Sequence, residues 1–325
     1  MICLGIESTA HTFGVGIIKD KKVLANIKKT YTTEKGGIIP IDAAKHHHEI
    51  KDELLEKALD EAKIKLEDVD LIAFSQSPGL SPCLLEGMRT AKELSKKLKV
   101  PLVGVNHCIA HLEIGRLLTK AKDPVLLYSS GANTQIIGFA EGRYRIFGET
   151  VDIGLGNFID SFARCAGLGF PGGPKMEKLA LKSKKLIELP YSIKGMDVSF
   201  SGLLTNLQQK LNKEKLEDLA YSMQETAFPM LIEAAERAMA HLHKKELLFG
   251  GGVACNKRYQ EMGEIMCKER DAKFYCPENQ FLVDNAAMIA WLGILMEKHA
   301  VSWKHLDKID IDPYERTDDV EITWR

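Results

Sequence analysis

Two distant stretches of this chain repeat one design, and that repetition limits the fold more than any other feature of the sequence. Ile2 to Glu7 is largely apolar, Ser8-Thr9-Ala10-His11-Thr12 is small and polar, and Phe13 to Ile18 is apolar again. Later, Val125 to Tyr128 is apolar, Ser129-Ser130-Gly131-Ala132-Asn133-Thr134 is small and polar, and Gln135 to Phe139 returns as a second apolar run. Each reads as a strand hairpin with a backbone-exposing turn. Aligned on their threonines, the turns read S-T-A-H-T and S-G-A-N-T. A second pair of units follows the first. Asp70 to Phe74 runs into Ser75-Gln76-Ser77-Pro78-Gly79 and a helical pattern from Cys83 to Leu98, as Glu246 to Phe249 runs into Gly250-Gly251-Gly252-Val253-Ala254 and a helical pattern from Asn256 to Arg270. A chain duplicated in this way is expected to form two similar halves, each a meander of strands continued by alternating helices and strands.

That arrangement resembles the duplicated α/β fold of the actin, Hsp70 and sugar-kinase (ASKHA) superfamily, in which two lobes flank a nucleotide cleft and polar turns hold phosphates through backbone amides. The expected boundary lies between Lys120 and Asp123, giving an N-terminal lobe of residues 1–121 and a C-terminal lobe of residues 122–325 with inserted helices. At 325 residues, 45% hydrophobic and 27% charged, the chain can supply two cores. No run approaches the roughly eighteen apolar residues a membrane helix needs, and no basic stretch precedes an apolar one at the start, so a cytoplasmic protein with no membrane partner is expected. The seven cysteines are scattered and never spaced C-x-x-C, which argues against a disulfide framework and a cysteine zinc site. A formal net charge of -1 means that any nucleic acid must be met by a local patch or by basic partner subunits.

After the apolar Leu102-Val103-Gly104-Val105 comes Asn106, a good helix cap, and then His107-Cys108-Ile109-Ala110-His111. On a helix His107 and His111 share one face with Ile114 and Leu118 and can reach one metal ion. The same pair also fits two satisfied or solvated histidines. A zinc peptidase needs H-E-x-x-H, and here Cys108 stands in the glutamate's place. Asp284 precedes a helical pattern running to about His299; it is either an ordinary cap or a carboxylate able to join the histidines. Gly250-Gly251-Gly252 allows close approach of a nucleoside, or makes a tight strand-to-helix turn. Phe170-Pro171-Gly172-Gly173-Pro174 is a second glycine loop with Glu177 in the following first turn; Glu149, Asp152 and Asp160 lie upstream and could be surface carboxylates. His46-His47-His48 reads as a solvated helix segment, because consecutive helical positions point in different directions.

G-I-E-S-T-A-H-T (Gly5 to Thr12), F-S-Q-S-P-G-L (Phe74 to Leu80), V-N-H-C-I-A-H (Val105 to His111), Y-S-S-G-A-N-T-Q (Tyr128 to Gln135), F-P-G-G-P (Phe170 to Pro174), S-F-S-G-L (Ser199 to Leu203), G-G-V-A-C-N (Gly251 to Asn256) and D-N-A-A-M-I-A (Asp284 to Ala290) together resemble the TsaD family essentially end to end. R-T-D-D-V-E-I-T-W (Arg316 to Trp324) is similar to its archaeal and eukaryotic KEOPS branch. The resemblance implies that His107 and His111 are a metal-binding pair, with Tyr128 and Asp284 as further ligands of one iron or zinc ion per subunit. It also implies an adenylate surrounded by Tyr128, Ser129, Ser130, Gly131, Ala132, Asp160, Gly173, Glu177 and Asn256. No general base is singled out, although Asp160 is a candidate. Ala132 and Ala286 stand where the family has glycine, and a positive φ at either would strain the loop.

The implied reaction transfers a threonylcarbamoyl group from threonylcarbamoyl-AMP to the N6 amine of the tRNA adenosine beside the anticodon. That amine is delocalised into its ring and is a weak nucleophile, so an activated donor makes chemical sense. The implied partners are tRNA and KEOPS subunits, among them a small dimerising subunit and a small RIO-type kinase, either separate or fused C-terminally. An upstream synthase would supply the adenylate. The alternatives are an actin-fold ATPase or sugar kinase, which has no need of H-x-x-x-H, and a non-catalytic nucleotide-binding scaffold.

Overall fold

The computed structural model describes residues 1–33 and 37–325. In chain order its strands are β1 (Ile2–Glu7), β2 (Thr12–Lys19), β3 (Lys22–Thr30), β4 (Leu71–Ser77), β5 (Leu102–Asn106), β6 (Val125–Ser129), β7 (Thr134–Ala140), β8 (Arg143–Glu149), β9 (Ile193–Lys194), β10 (Asp197–Val198), β11 (Glu246–Gly250) and β12 (Lys273–Tyr275). Its α-helices are α1 (Pro40–Ala62), α2 (Ser81–Leu98), α3 (His107–Thr119), α4 (Leu155–Cys165), α5 (Gly173–Ala180), α6 (Ser201–Lys210), α7 (Leu216–His241), α8 (Lys257–Glu269), α9 (Asn279–Leu282) and α10 (Ala286–Leu295).

Two compact units result. One comprises residues 1–32, 38–118 and 284–325; the other comprises 33, 37 and 119–283. The first unit's sheet has the order β3-β2-β1-β4-β5 and the second's β8-β7-β6-β11-β12. From the β3 or β8 edge inward, both run antiparallel, antiparallel, parallel, parallel. Even the irregularity repeats, with a register shift between Ile17 and Ile18 in one hairpin and between Ile136 and Ile137 in the other. The duplication read from the turns is therefore a duplication of topology. The central strands are apolar on both faces because each sheet is covered on both sides: β1 buries Cys3 to Glu7, and β6 buries Val125 to Ser129. One core gathers Leu4, Ile6, Phe13, Val15 and Phe74 with Leu54 and Leu94. The other gathers Leu127, Phe158, Phe162, Phe228, Phe249 and Tyr259.

The chain returns to the first unit at Asp284. The cause is α10. Ala286 to Gly293 are all buried, so this helix needs cover on every side. It finds cover on β1, β2 and β4. The approach is close because Gly5 and Gly16 have no side chains; a methyl on Gly16 would run into the backbone of Ala286 and Ala287, and one on Gly5 into that of Ala290. Beyond α10, Leu102 and Val301 exchange backbone hydrogen bonds of 2.9 and 2.8 Å, extending the first sheet past β5.

Two local readings change. His47 is fully buried, and its Nε2 donates to the carbonyl of Ala10 at 3.0 Å; only part of the histidine triplet faces solvent. Burial pushes its pKa down to about 4, so it holds the turn after β1 as a neutral donor. Leu118 is exposed, so the apolar stripe of α3 ends at Ile114.

The tight seat of α10 predicts that Gly16→Ala lowers unfolding stability by about 1–3 kcal/mol, the cost of overpacking. Gly202→Ala, where a methyl meets nothing within 4 Å, should be neutral or slightly stabilising. Urea unfolding of both variants tests this, and equal stabilities would show that α10 does not depend on that close approach.

Candidate functional site

Asn106 ends β5, and its Oδ1 accepts from the N–H groups of Cys108 and Ile109 at 3.0 and 3.2 Å, which starts α3. That start brings the histidines of the first and second turns together edge to face, with ring centroids 4.8 Å apart. Both are buried, at 5% and 2% exposure. At the head of α10 the cap is Asn285, whose side chain accepts from Met288 N at 3.0 Å. Asp284 is therefore not the cap, and its carboxylate meets the histidines: Oδ1 lies 3.4 Å from His107 Nε2 and 3.7 Å from His111 Nε2. Among the described residues, His107, His111 and Asp284 bring three ligand atoms within 4.8 Å of one another.

The surroundings suit a cation. His107 Nδ1 is 2.9 Å from Glu7 Oε2, and Glu7 is fully buried. Glu7 Oε1 also accepts from Thr9 N at 2.8 Å and Thr9 Oγ1 at 2.5 Å, so its carboxylate is held in place. A carboxylate on Nδ1 is the arrangement that fixes a ligating imidazole's tautomer and aims Nε2 at a metal. With Nδ1 donating to Glu7, Nε2 turns a lone pair toward an aspartate oxygen, a repulsion relieved only by a proton or a metal ion. Burial opposes charge on His107, but the carboxylates of Glu7 and Asp284 outweigh it and hold the imidazole well above its ordinary pKa. Burial likewise opposes charge on Asp284, yet the imidazoles of His107 and His111 beside it keep it well below the carboxylate range. Burial pushes His111 below its ordinary value, toward the neutral form a metal binds. Two imidazoles and a carboxylate suit zinc or iron.

Glu7 and His11 carried no assigned role in the sequence reading. His11 Nδ1 lies 4.0 Å from Asp284 Oδ2, making it a third histidine beside that carboxylate. The signal for Glu7 was present: a carboxylate inside an apolar strand must find a partner when buried.

The residues expected around an adenylate lie in the second unit. Tyr128 and Ser129, at the end of β6, are buried, and Ser129 Oγ is 3.0 Å from Tyr259 Oη. The turn closes through Ser130 N donating to Asn133 O at 2.8 Å. Gly156 N and Asn157 N donate to the carbonyls of Ser130 and Gly131 at 3.0 and 2.9 Å. Gly251, with φ +89°, lies so close that a side chain there would strike the backbone of Ser129. Asp160 Oδ1 accepts from Gly172 N at 2.7 Å and so pins the loop leading to Gly173, the first residue of α5. Glu177 Oε1 accepts from Lys257 N at 2.8 Å, tying α5 to α8. Asn256 caps α8 through Tyr259 N at 3.1 Å while its Nδ2 donates to Gln224 at 2.6 Å. Asp152 accepts from the N–H groups of Phe200 and Ser201, both at 2.9 Å, which accounts structurally for the S-F-S-G-L motif. Neither Ala132 nor Ala286 has positive φ, so the alanines impose no strain.

The architecture is the duplicated actin-like α/β fold: HypF of Thermococcus kodakarensis superposes with a TM-score of 0.65 over 94% of this chain and 49% of that one, at 14% identity. The family model described as tRNA N6-adenosine threonylcarbamoyltransferase (TsaD) matches residues 22–291. The chain is 55% identical over the whole of both chains to the tRNA N6-adenosine threonylcarbamoyltransferase of Thermococcus kodakarensis. It is 53% identical, over 99% of its own length and 59% of the relative's, to a bifunctional tRNA threonylcarbamoyladenosine biosynthesis protein of Methanosarcina mazei. The chain belongs to the tRNA N6-adenosine threonylcarbamoyltransferase family.

His107 yields a pH prediction. Its pKa is raised on folding, so the proton it carries stabilises the metal-free fold at low pH, and that contribution is lost as pH rises through the folded value. A metal must displace the same proton. Zinc affinity, measured by chelator competition, should therefore climb with pH above about 6.5 and level off beyond the raised pKa. A pH-independent affinity across that range would show that His107 gives up no proton to the metal.

Proposed function

We propose that this chain is the catalytic subunit of a KEOPS-type complex, transferring the threonylcarbamoyl group of threonylcarbamoyl-AMP to the N6 amine of the tRNA adenosine next to the anticodon. The observation that carries the reading is the cluster of His107, His111 and Asp284 braced by Glu7, in a chain 55% identical throughout to a tRNA N6-adenosine threonylcarbamoyltransferase. An actin-fold ATPase or sugar kinase brings magnesium with its nucleotide and has no use for two buried histidines on a carboxylate.

In this reading His107, His111 and Asp284 hold one iron or zinc ion, and Tyr128 is kept as a further ligand on the family resemblance alone. An ion held there would supply positive charge able to polarise the donor's carbonyl or phosphate oxygens. The turn from Ser129 to Ala132, with Asp160, Gly173, Glu177 and Asn256, holds the adenylate. The hydrogen bonds of Asp160, Glu177 and Asn256 within the second unit support a rigid seat, which orients a donor at little entropic cost. The target base lies in a single-stranded loop, where its amine is accessible. Accessory subunits supply most of the tRNA affinity, in keeping with a net charge of -1. One of them is a RIO-type kinase, separate or fused, and another a small dimerising subunit; a cytoplasmic location goes with this work.

Reconstitution with tRNA, labelled threonine, bicarbonate, ATP, an adenylate-forming enzyme and the accessory subunits tests the proposal. His111→Ala should abolish most transfer in protein that still unfolds cooperatively, at a lowered temperature because a buried imidazole is lost. Transfer that persists in this variant after demonstrated metal loss would defeat the mechanism, and ATP turnover insensitive to the substitution would favour the kinase or ATPase reading. The isolated chain should bind tRNA weakly, with the accessory subunits strengthening binding at moderate salt; tight, specific binding by the chain alone would contradict this.

A further inference from the structure

The last segment of the first unit runs along the helix that carries the histidines. Asp312 N donates to Gln76 O at 3.1 Å and Gly79 N to Pro313 O at 3.3 Å, clamping the segment to the end of β4. Glu315 Oε2 then accepts from Asn106 Nδ2 at 3.1 Å and from the hydroxyl of Ser77, both residues being buried. Asn106 is the cap of α3. An amide side chain has one donor end and one acceptor end. Glu315 takes the donor end, which leaves Oδ1 facing Cys108 N and Ile109 N. Thr317, buried at 2% exposure, lies beside the thiol of Cys108. Trp324 Nε1 donates at 2.9 Å to Glu113 Oε1, a buried carboxylate that also pairs with Arg116 at 2.8 Å. The segment thus touches α3 and its cap at positions 106, 108 and 113, bracketing His107 and His111.

We propose that Asp312–Trp324 is a strap that fixes α3, and that Glu315, Thr317 and Trp324 are positioning residues setting the metal affinity of the His107, His111 and Asp284 site. The inference rests on the metal reading given above. A ligand constellation must be held to within about 0.5 Å, by partners that are themselves locked. Glu7 locks one imbalanced end of that constellation, His107 Nδ1. The strap locks the helix from which both imidazoles project. Without Glu315 the Asn106 Nδ2 is left with its 3.4 Å hydrogen bond to Ser77 Oγ, so the amide that starts α3, and with it the turn carrying His107, is held less firmly.

Cobalt binding to the full chain tests the strap, read by visible absorption and by competition with a chromophoric chelator. Glu315→Ala and Trp324→Phe should each weaken binding by about tenfold, as loss of supporting hydrogen bonds does at metal sites, and should alter the cobalt spectrum. Glu315→Gln keeps an oxygen acceptor and should restore both. Parental affinity and spectrum in Glu315→Ala and Trp324→Phe would overturn the proposal. Trp324→Phe keeps the ring and loses only its N–H donor, so it decides the matter alone if Glu315→Ala does not fold. His111→Ala is the separate control: cobalt bound by it as tightly as by the parent would overturn the metal reading itself, and the strap with it.

Discussion

The buried pairing of Glu7 with His107 organises the first unit. A carboxylate with no solvent exposure, in the middle of an apolar sheet, is tolerated only if its charge is answered. It is answered twice, by the N–H and hydroxyl of Thr9 and by an imidazole from another strand–helix junction. This joins the turn after β1 to the start of α3. Asp284 then meets the other face of the same imidazole and draws the head of α10 to the same place. Three elements remote in sequence share one charge balance, and a divalent ion accommodates that balance as well as a proton does.

Duplication has been put to different uses in the two units. Both sheets have one strand order and a register shift in the corresponding antiparallel pair. In the first unit the turn after β1 is tied to histidines and carboxylates. In the second, the equivalent turn after β6 is ringed by glycines, with Gly154, Gly156 and Gly251 all packed on its backbone. Side chains that carry charge gather in one copy, and exposed backbone in the other. Such a division suits the proposed function, in which the first unit holds an ion and the second an adenylate.

Much of this was legible in the sequence, for reasons of period. Hairpin turns and strand–loop–helix units are local patterns, and two histidines four residues apart lie on one helical face wherever that helix packs. Asp284 was harder, because an aspartate before a helix reads as a cap; only the structure assigns that task to Asn285. His47 read as solvated because consecutive helical positions point in different directions, yet it is buried against the carbonyl of Ala10, 37 residues away in sequence. The return of residues 284–325 to the first unit was invisible, since it depends on the fit of α10 against Gly5 and Gly16. Long-range fit leaves no periodic trace.

That return has a consequence for how the protein is made. Sheet strands β1 to β5 and both histidines leave the ribosome early, but Asp284 and the helix that covers β1, β2 and β4 emerge only after the whole second unit has been synthesised. Domains tend to fold in the order they are made. Here the second unit can fold before the first is finished, and the first waits with an open sheet face and two imidazoles lacking their aspartate. An ion held by His107, His111 and Asp284, as proposed, would thereby be captured late in the life of the chain, together with the closing of its first core.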